Sequence, residues 1–363
     1  MDAATPPPPL DESRRLPAGL SYPHGEAIPA PDEAIEVAER ILWLRLPLPM
    51  TLDHVNIYAL DDGDGWTIID TGFQTTKTKG FWADLMNGPL AAKPVRRVIA
   101  THHHPDHIGL AGWFQSEHGA ELWATRTAWL YARMLTLDHQ ERTSKESLLH
   151  LKRAGADDAR LTWAAEREPM NFSRVVAPLP PGFKRMRDGE RIGMGGRAWR
   201  IFTGDGHAPE QATFWSVDGD IVISADQILP RISPNIGVYA NEPDADPLGE
   251  WMTSCKKFRP LARPGHLVLP GHNRPFTGLP KRLEQLIENH HGVIRRLRKF
   301  LTEPRTAIEC FDTIYKRQIK DGEFNLAMGE AIAHLNHMAA TGGAARSLGP
   351  DGAYRFKVSQ TAE

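Results

Sequence analysis

The chain has 363 residues, enough for one large domain and a smaller one, and 41% are hydrophobic, so a sizeable core is possible. Its 43 Lys+Arg nearly balance 45 Asp+Glu, which argues against nucleic acid or an anionic membrane as the main partner. The two cysteines, Cys255 and Cys310, lie in no CxxC pair, so any metal site must be built from nitrogen and oxygen ligands. No apolar run approaches membrane-spanning length and the N-terminus lacks the apolar centre of a signal peptide. The expectation is a soluble, cytoplasmic protein.

Residues 1–34 are polar and Pro-rich, with Pro6 to Pro9 consecutive, and read as an extended or disordered tail that wraps the surface. Strands are expected at 41–46, 55–60 and 66–69, with a turn at Asp61-Asp62-Gly63-Asp64-Gly65. The third delivers Asp70-Thr71-Gly72. As a turn residue Asp70 is unremarked; as a carboxylate beside a metal-bound imidazole it would fix that ring's tautomer. A helix from Thr75 to Met86 then leads to the apolar run Val98-Ile99-Ala100.

That run opens into Thr101-His102-His103-His104-Pro105-Asp106-His107, which reads H-x-H-x-D-H. A solvated polar turn holds one or two histidines. Four ligand-type residues at this spacing after a strand suit a divalent metal. His103 falls on an unconstrained position and is expected to point away.

Residues 126–178 read as a helical insertion, either a lid over a pocket or structural decoration, with His139 and His150 expected at the surface. Three later strands each deliver one ligand-type residue: 198–203 leads to His207, 221–225 to Asp226, and 267–270 to His272. His54 reads as structural. Tyr239 is a possible donor to a developing oxyanion, although a plain loop aromatic fits it as well.

Together these residues resemble the metallo-β-lactamase superfamily over about residues 36–290, in its glyoxalase II-like and lactonase-like hydrolase branch. The resemblance implies an α+β fold, an αββα sandwich of two mixed β-sheets with helices outside. It implies that His102, His104 and His207 hold one metal ion, that Asp106, His107 and His272 hold another, and that Asp226 bridges them. Asp70 would support the site. It implies two divalent ions, zinc above all, with iron or manganese accepting the same ligands. The expected activity is hydrolysis of a carboxylic ester, thioester or lactone by a metal-bridging hydroxide, with Asp106 also moving a proton. The substrate would be a small molecule, acyl or aryl.

The chain departs from the glyoxalase II pattern at the third histidine, where GHAPEQ stands for GHSPGH, and it lacks that group's basic glutathione-binding motif. Two other branches imply alternatives: a metal-dependent RNA nuclease or phosphodiesterase, and a sulfur dioxygenase with a single iron. After the basic amphipathic helix expected at 283–301, with its histidines solvated, helices at 306–318 and 326–340 precede a hairpin at 354–358. This order looks like a winged-helix module over 291–363, following a catalytic domain at 35–290. From Val293 on, 11 Lys+Arg stand against 8 Asp+Glu, too small an excess for a phosphate-binding face. Packing on the catalytic domain or on a second copy in a homodimer is the expected use.

Overall fold

The computed structural model describes residues 16–359; the Pro6–Pro9 run lies outside them. The first sheet takes its strands in chain order: β1 (Ile35–Ala38), β2 (Ile41–Pro47), β3 (His54–Asp61), β4 (Trp66–Ile69), β5 (Val95–Ile99), β6 (Glu121–Thr125) and β7 (Lys184–Met186). The first four pair antiparallel and the last four parallel. Short turns suffice for the former, whereas each parallel step needs a crossover. Helix α1 (Thr76–Asn87) makes the first crossover; the hydroxyl of Thr75 caps it by accepting the Thr78 amide N–H. The short α2 (Pro105–Ile108) and α3 (Ala111–His118) make the next.

The insertion forms α4 (Arg126–Leu137), α5 (Lys145–Ala154) and α6 (Asp158–Ala165). The second sheet follows, with β8 (Arg191–Met194), β9 (Arg197–Gly204), β10 (Gln211–Ser216), β11 (Ile221–Ala225) and β12 (Leu267–Pro270) in the order 12-11-10-9-8. Strands β11 and β12 are parallel, joined through α7 (Pro247–Phe258).

The sheets face each other across Trp43, Tyr58, Trp199, Phe214, Ile223 and Leu269, all essentially inaccessible. Strand β3 is buried on both faces, which is why it reads as a nearly continuous apolar run. On its outer side α1 and α3 pack Trp82 and Phe114 edge-to-face at 4.8 Å over Ile57 and Val98. On the far side α7 and α8 (Leu279–Phe300) lay Trp251, Phe258, Leu283 and Leu286 over Val222 and Val268. Burying each such side chain stabilises the fold by about 1.5–3 kcal/mol. The result is the αββα layering expected from the sequence.

Helix α8 runs unbroken through position 290. The helix expected at 306–318 is shorter: after a 3-10 turn, α9 spans only Phe311–Tyr315, and Lys316 closes it in the left-handed conformation at φ 55°. Then come α10 (Phe324–Ala340) and the hairpin β13 (Ala344–Leu348) and β14 (Tyr354–Val358). Ala331, Leu335, Met338 and Phe356 share a core with Trp251 and Leu283, so the C-terminal region packs onto the second sheet's helices. At the other end, Ser21 bridges to Thr277 and the carbonyl of Ala18 accepts from Gln285. Cys255 and Cys310 are separate buried thiols.

Candidate metal centre

Five strand ends supply the residues singled out in the sequence. Strands β4, β5, β9, β11 and β12 are followed by Asp70, the histidine loop, His207, Asp226 and His272 respectively. Nε2 of His102 lies 3.0 Å from Nδ1 of His104, which lies 3.0 Å from Nε2 of His207. Two nitrogens on one tetrahedral zinc stand about 3.3 Å apart, given bonds of ~2.0–2.1 Å. Oδ2 of Asp106 lies 3.6 Å from Nε2 of His107 and 3.4 Å from Nε2 of His272. Oδ2 of Asp226 falls between the two sets, 3.0 Å from Nε2 of His272 and 3.4 Å from Nε2 of both His107 and His207. His102, His104 and His207 form one group able to hold a cation, and Asp106, His107 and His272 another.

The donor set fits such ions by its own hydrogen-bond accounting. Nε2 of His107 and Oδ1 of Asp226 are buried with no hydrogen-bond partner, a costly state that a cation would relieve. The opposite edges of the rings are committed. His107 donates from Nδ1 to Asp70 Oδ2 at 2.8 Å. His207 donates to the Asn235 carbonyl and His272 to the His54 carbonyl, each at 2.7 Å. Asp70 also accepts the Thr101 amide N–H at 2.8 Å and its hydroxyl at 2.9 Å. With its proton so directed, Thr101 Oγ1 accepts from His102 Nδ1 at 3.0 Å. Each of these four imidazoles therefore turns its Nε2 inward, the atom whose lone pair would ligate once unprotonated.

Electrostatics follow from the same packing. Burial and neighbouring histidines hold His102 and His104 well below the ordinary histidine range, so both are neutral and free to ligate. Burial pushes His107 and His272 down too, but Asp226 and Asp106 outweigh it and drive both up. Burial would raise Asp226, yet His272 and His107 hold it well below the carboxylate range. His107 and His272 would each give up a proton on holding a cation.

The backbone is strained where it delivers these groups. Asp70, Ala225 and Asn273, each at or beside a ligand-bearing strand end, adopt left-handed φ of 64°, 45° and 65°. Such conformations cost on the order of 1–3 kcal/mol and persist where the surroundings enforce them. A Cβ on Gly271 would stand 2.1 Å from Asp226 Oδ1, so only glycine lets β12 pass beneath that carboxylate. Gly206, at φ 100°, faces the Trp251 Cβ at 2.2 Å by the same construction.

Several contributors were not picked out from the sequence. His54, read as structural, accepts the Asn273 amide N–H through Nε2 while its carbonyl holds His272. Asn56 donates to the Pro270 and Asn273 carbonyls, and Tyr58 donates to Pro270. Polar residues at alternate positions of an otherwise apolar strand were the available signal. Loop 233–245, which holds His207 through Asn235, is itself fastened to α10: the Val238 amide N–H donates to Gly329, and Asn336 donates to Pro243 and Ala245.

His103 turns away from both groups and packs beside Tyr131 and Phe172 of the insertion, with ring centroids 5.1 and 6.5 Å away. Glu210 accepts the Thr127 amide N–H at 3.0 Å, tying α4 to the His207 loop. Tyr239 is half exposed, and among the described residues its hydroxyl hydrogen-bonds to none of the seven ligand-type residues. Two surface assignments are corrected. His139 is exposed, but His150 lies on the buried face of α5, and His290 of α8 is 1% exposed, because both fall on core-facing helix positions.

A fold of two facing mixed sheets with histidines and aspartates gathered at the strand ends is that of a metallohydrolase. The chain matches the metallo-β-lactamase superfamily over residues 50–272 and belongs to it; residues 294–359 match the C-terminal domain of metallo-β-lactamase-like proteins. It is similar to a crystallised β-lactamase domain protein from Burkholderia ambifaria, at 34% identity and TM-score 0.85, over 94% of this chain and 98% of that one. It is 24% identical over 307 residues to the probable metallo-hydrolase YqjP of Bacillus subtilis, covering 83% of this chain and 93% of that protein. It is also 24% identical to the linear primary-alkylsulfatase of a Pseudomonas species over 66% of this chain and 46% of the relative. Among the described residues no helix is long and apolar enough to cross a membrane.

Proposed function

We propose that this chain is a binuclear metal-dependent hydrolase of a carboxylic ester, thioester or lactone. His102, His104 and His207 would hold one ion, Asp106, His107 and His272 the other, and Asp226 both. The observation that carries the reading is the position of Asp226 Oδ2, 3.0–3.4 Å from nitrogens of both sets. A single ion would need only one of those sets. Two divalent ions, zinc by this donor set, would lower the pKa of a water and polarise the scissile carbonyl. The chain's own groups do the rest. Asp70 and the carbonyls of Asn235 and His54 keep the imidazoles oriented. Asp106, partly exposed at the site, would hand a proton to the leaving group in this reading.

The insertion supplies the substrate wall in this reading. Leu130, Met134 and Leu137 form an exposed apolar stripe along α4, which is tied to the His207 loop through Glu210. Such a stripe suits an acyl or aryl group. Alkyl sulfate esters are the second reading; the Pseudomonas relative is a sulfatase by name, and an alkyl chain would use the same stripe. The C-terminal region, helix-helix-hairpin as in a winged helix, turns α10 into the core, which speaks against an RNA-binding face. Turnover of thioester, lactone, aryl-ester and alkyl-sulfate panels by zinc-loaded protein tests the proposal. Ester cleavage lost on chelation and restored by zinc is expected. Activity only on RNA, or only as an iron-dependent oxygenase, would refute it.

A further inference from the structure

A second cluster of ligating groups lies away from the centre just described and shares no residue with it. His290 comes from α8; Glu330 and His334 sit one turn apart on the same face of α10. One ligating atom from each of the three falls within 4.8 Å of the others. Both histidines are 1% exposed. Nδ1 of His290 lies 3.1 Å from Nε2 of His334, the spacing seen between imidazole nitrogens at the first centre. His334 donates from Nδ1 to the Glu330 carbonyl at 2.8 Å, so its Nε2 presents a bare lone pair toward His290.

A proton could bridge the two nitrogens, with His290 donating from Nδ1. Nε2 of His290 is buried without a hydrogen-bond partner whichever nitrogen carries the proton, so the choice rests on the groups facing Nδ1. The bridging proton leaves the Glu330 carboxylate with the uncharged Tyr315 hydroxyl at 3.0 Å, which it shares with the Ala327 carbonyl. A partly buried carboxylate facing two neutral imidazoles has no counter-charge among these three groups. Two imidazole nitrogens and a carboxylate are instead the N/O donor set of a divalent ion such as zinc.

The geometry points to a structural divalent-metal site formed by His290, Glu330 and His334, which ties the catalytic region's last helix to the C-terminal region. The inference does not depend on the proposed reaction. Its consequence is mechanical: α10 also fastens loop 233–245, so an ion at this seam would stiffen the support of His207.

Crystals of the full chain soaked in zinc, with anomalous differences recorded on both sides of the zinc edge, test it without any substitution. A peak about 2.0–2.1 Å from His290 Nδ1 and His334 Nε2 is expected. Peaks at the histidine loop with none at the seam would overturn this inference and leave the proposed function standing. A peak at the seam alone would do the reverse. In solution, Glu330→Gln and His334→Ala should each carry one zinc fewer per chain than the parent while keeping the ions at the first centre. An unchanged zinc count in both folded variants would overturn the inference.

Discussion

Replacing Asp70 by Asn probes how far the centre depends on a residue that touches no substrate. The carboxylate accepts three hydrogen bonds, from the Thr101 amide, the Thr101 hydroxyl and Nδ1 of His107. An amide oxygen can keep the Thr101 amide. Its NH2 must then face His107 Nδ1–H and the Thr101 hydroxyl, two donors against one. His107 escapes the clash by moving its proton to Nε2, which removes the lone pair it would give to a cation. Losing such an orienting partner weakens metal binding by about 10–100-fold, or about 1.4–2.7 kcal/mol. Competition for zinc against a chromophoric chelator measures this, with thermal unfolding run beside it to check the fold. The ion on the His107 side should weaken by that factor. Binding unchanged within twofold in a folded variant would refute the chain of reasoning from Asp70 through His107 to the metal.

Gly271→Ala places a methyl against Asp226 Oδ1; zinc affinity should fall at least tenfold while the melting point, read by calorimetry, drops only by what overpacking one methyl costs, about 1–3 kcal/mol. Met134→Glu on the exposed stripe of α4 should raise KM for long-chain acyl substrates about tenfold and leave kcat for short ones unchanged, as steady-state kinetics over a chain-length series would report. Acid should destabilise the metal-free chain. Burial lowers His54 from 6.5 to about 4, so between those values the unfolded chain binds a proton that the folded chain refuses. Stability is then intact above pH 6.5 and falls as pH drops toward 4, by up to about 3 kcal/mol from this group. Denaturant unfolding across that range checks the sign, and His54→Gln should flatten the slope.

The ligand loops were legible because each carries unusual residue types at fixed spacing beside a short apolar run. The two-sheet fold was legible through the family resemblance that those loops carry, and the apolar runs of β3 and β11 are compatible with central strands in it. The supporting groups were not legible. Asn235 and Pro270 act through backbone carbonyls, as does His54 in holding His272, and these carry no mark in the sequence. Asp70 is the exception, legible as a carboxylate supporting an imidazole, and it accepts from His107 Nδ1; its left-handed φ of 64° carried no mark in the sequence. Helix faces misled where polar residues are buried: His150 and His290 read as solvent-facing, but each falls on the packed side of its helix. The helix expected at 306–318 failed for a local reason, since Lys316 turns left-handed and ends α9 after Tyr315.

The pairing of two cations through one carboxylate is tested most directly by the zinc content of Asp226→Ala against the parent, measured by plasma mass spectrometry after dialysis at a fixed free zinc concentration. The variant is expected to lose both equivalents held by the histidine loop and its partners, because each ion forfeits the same oxygen. A folded Asp226→Ala chain that keeps the parent's zinc content would contradict the account.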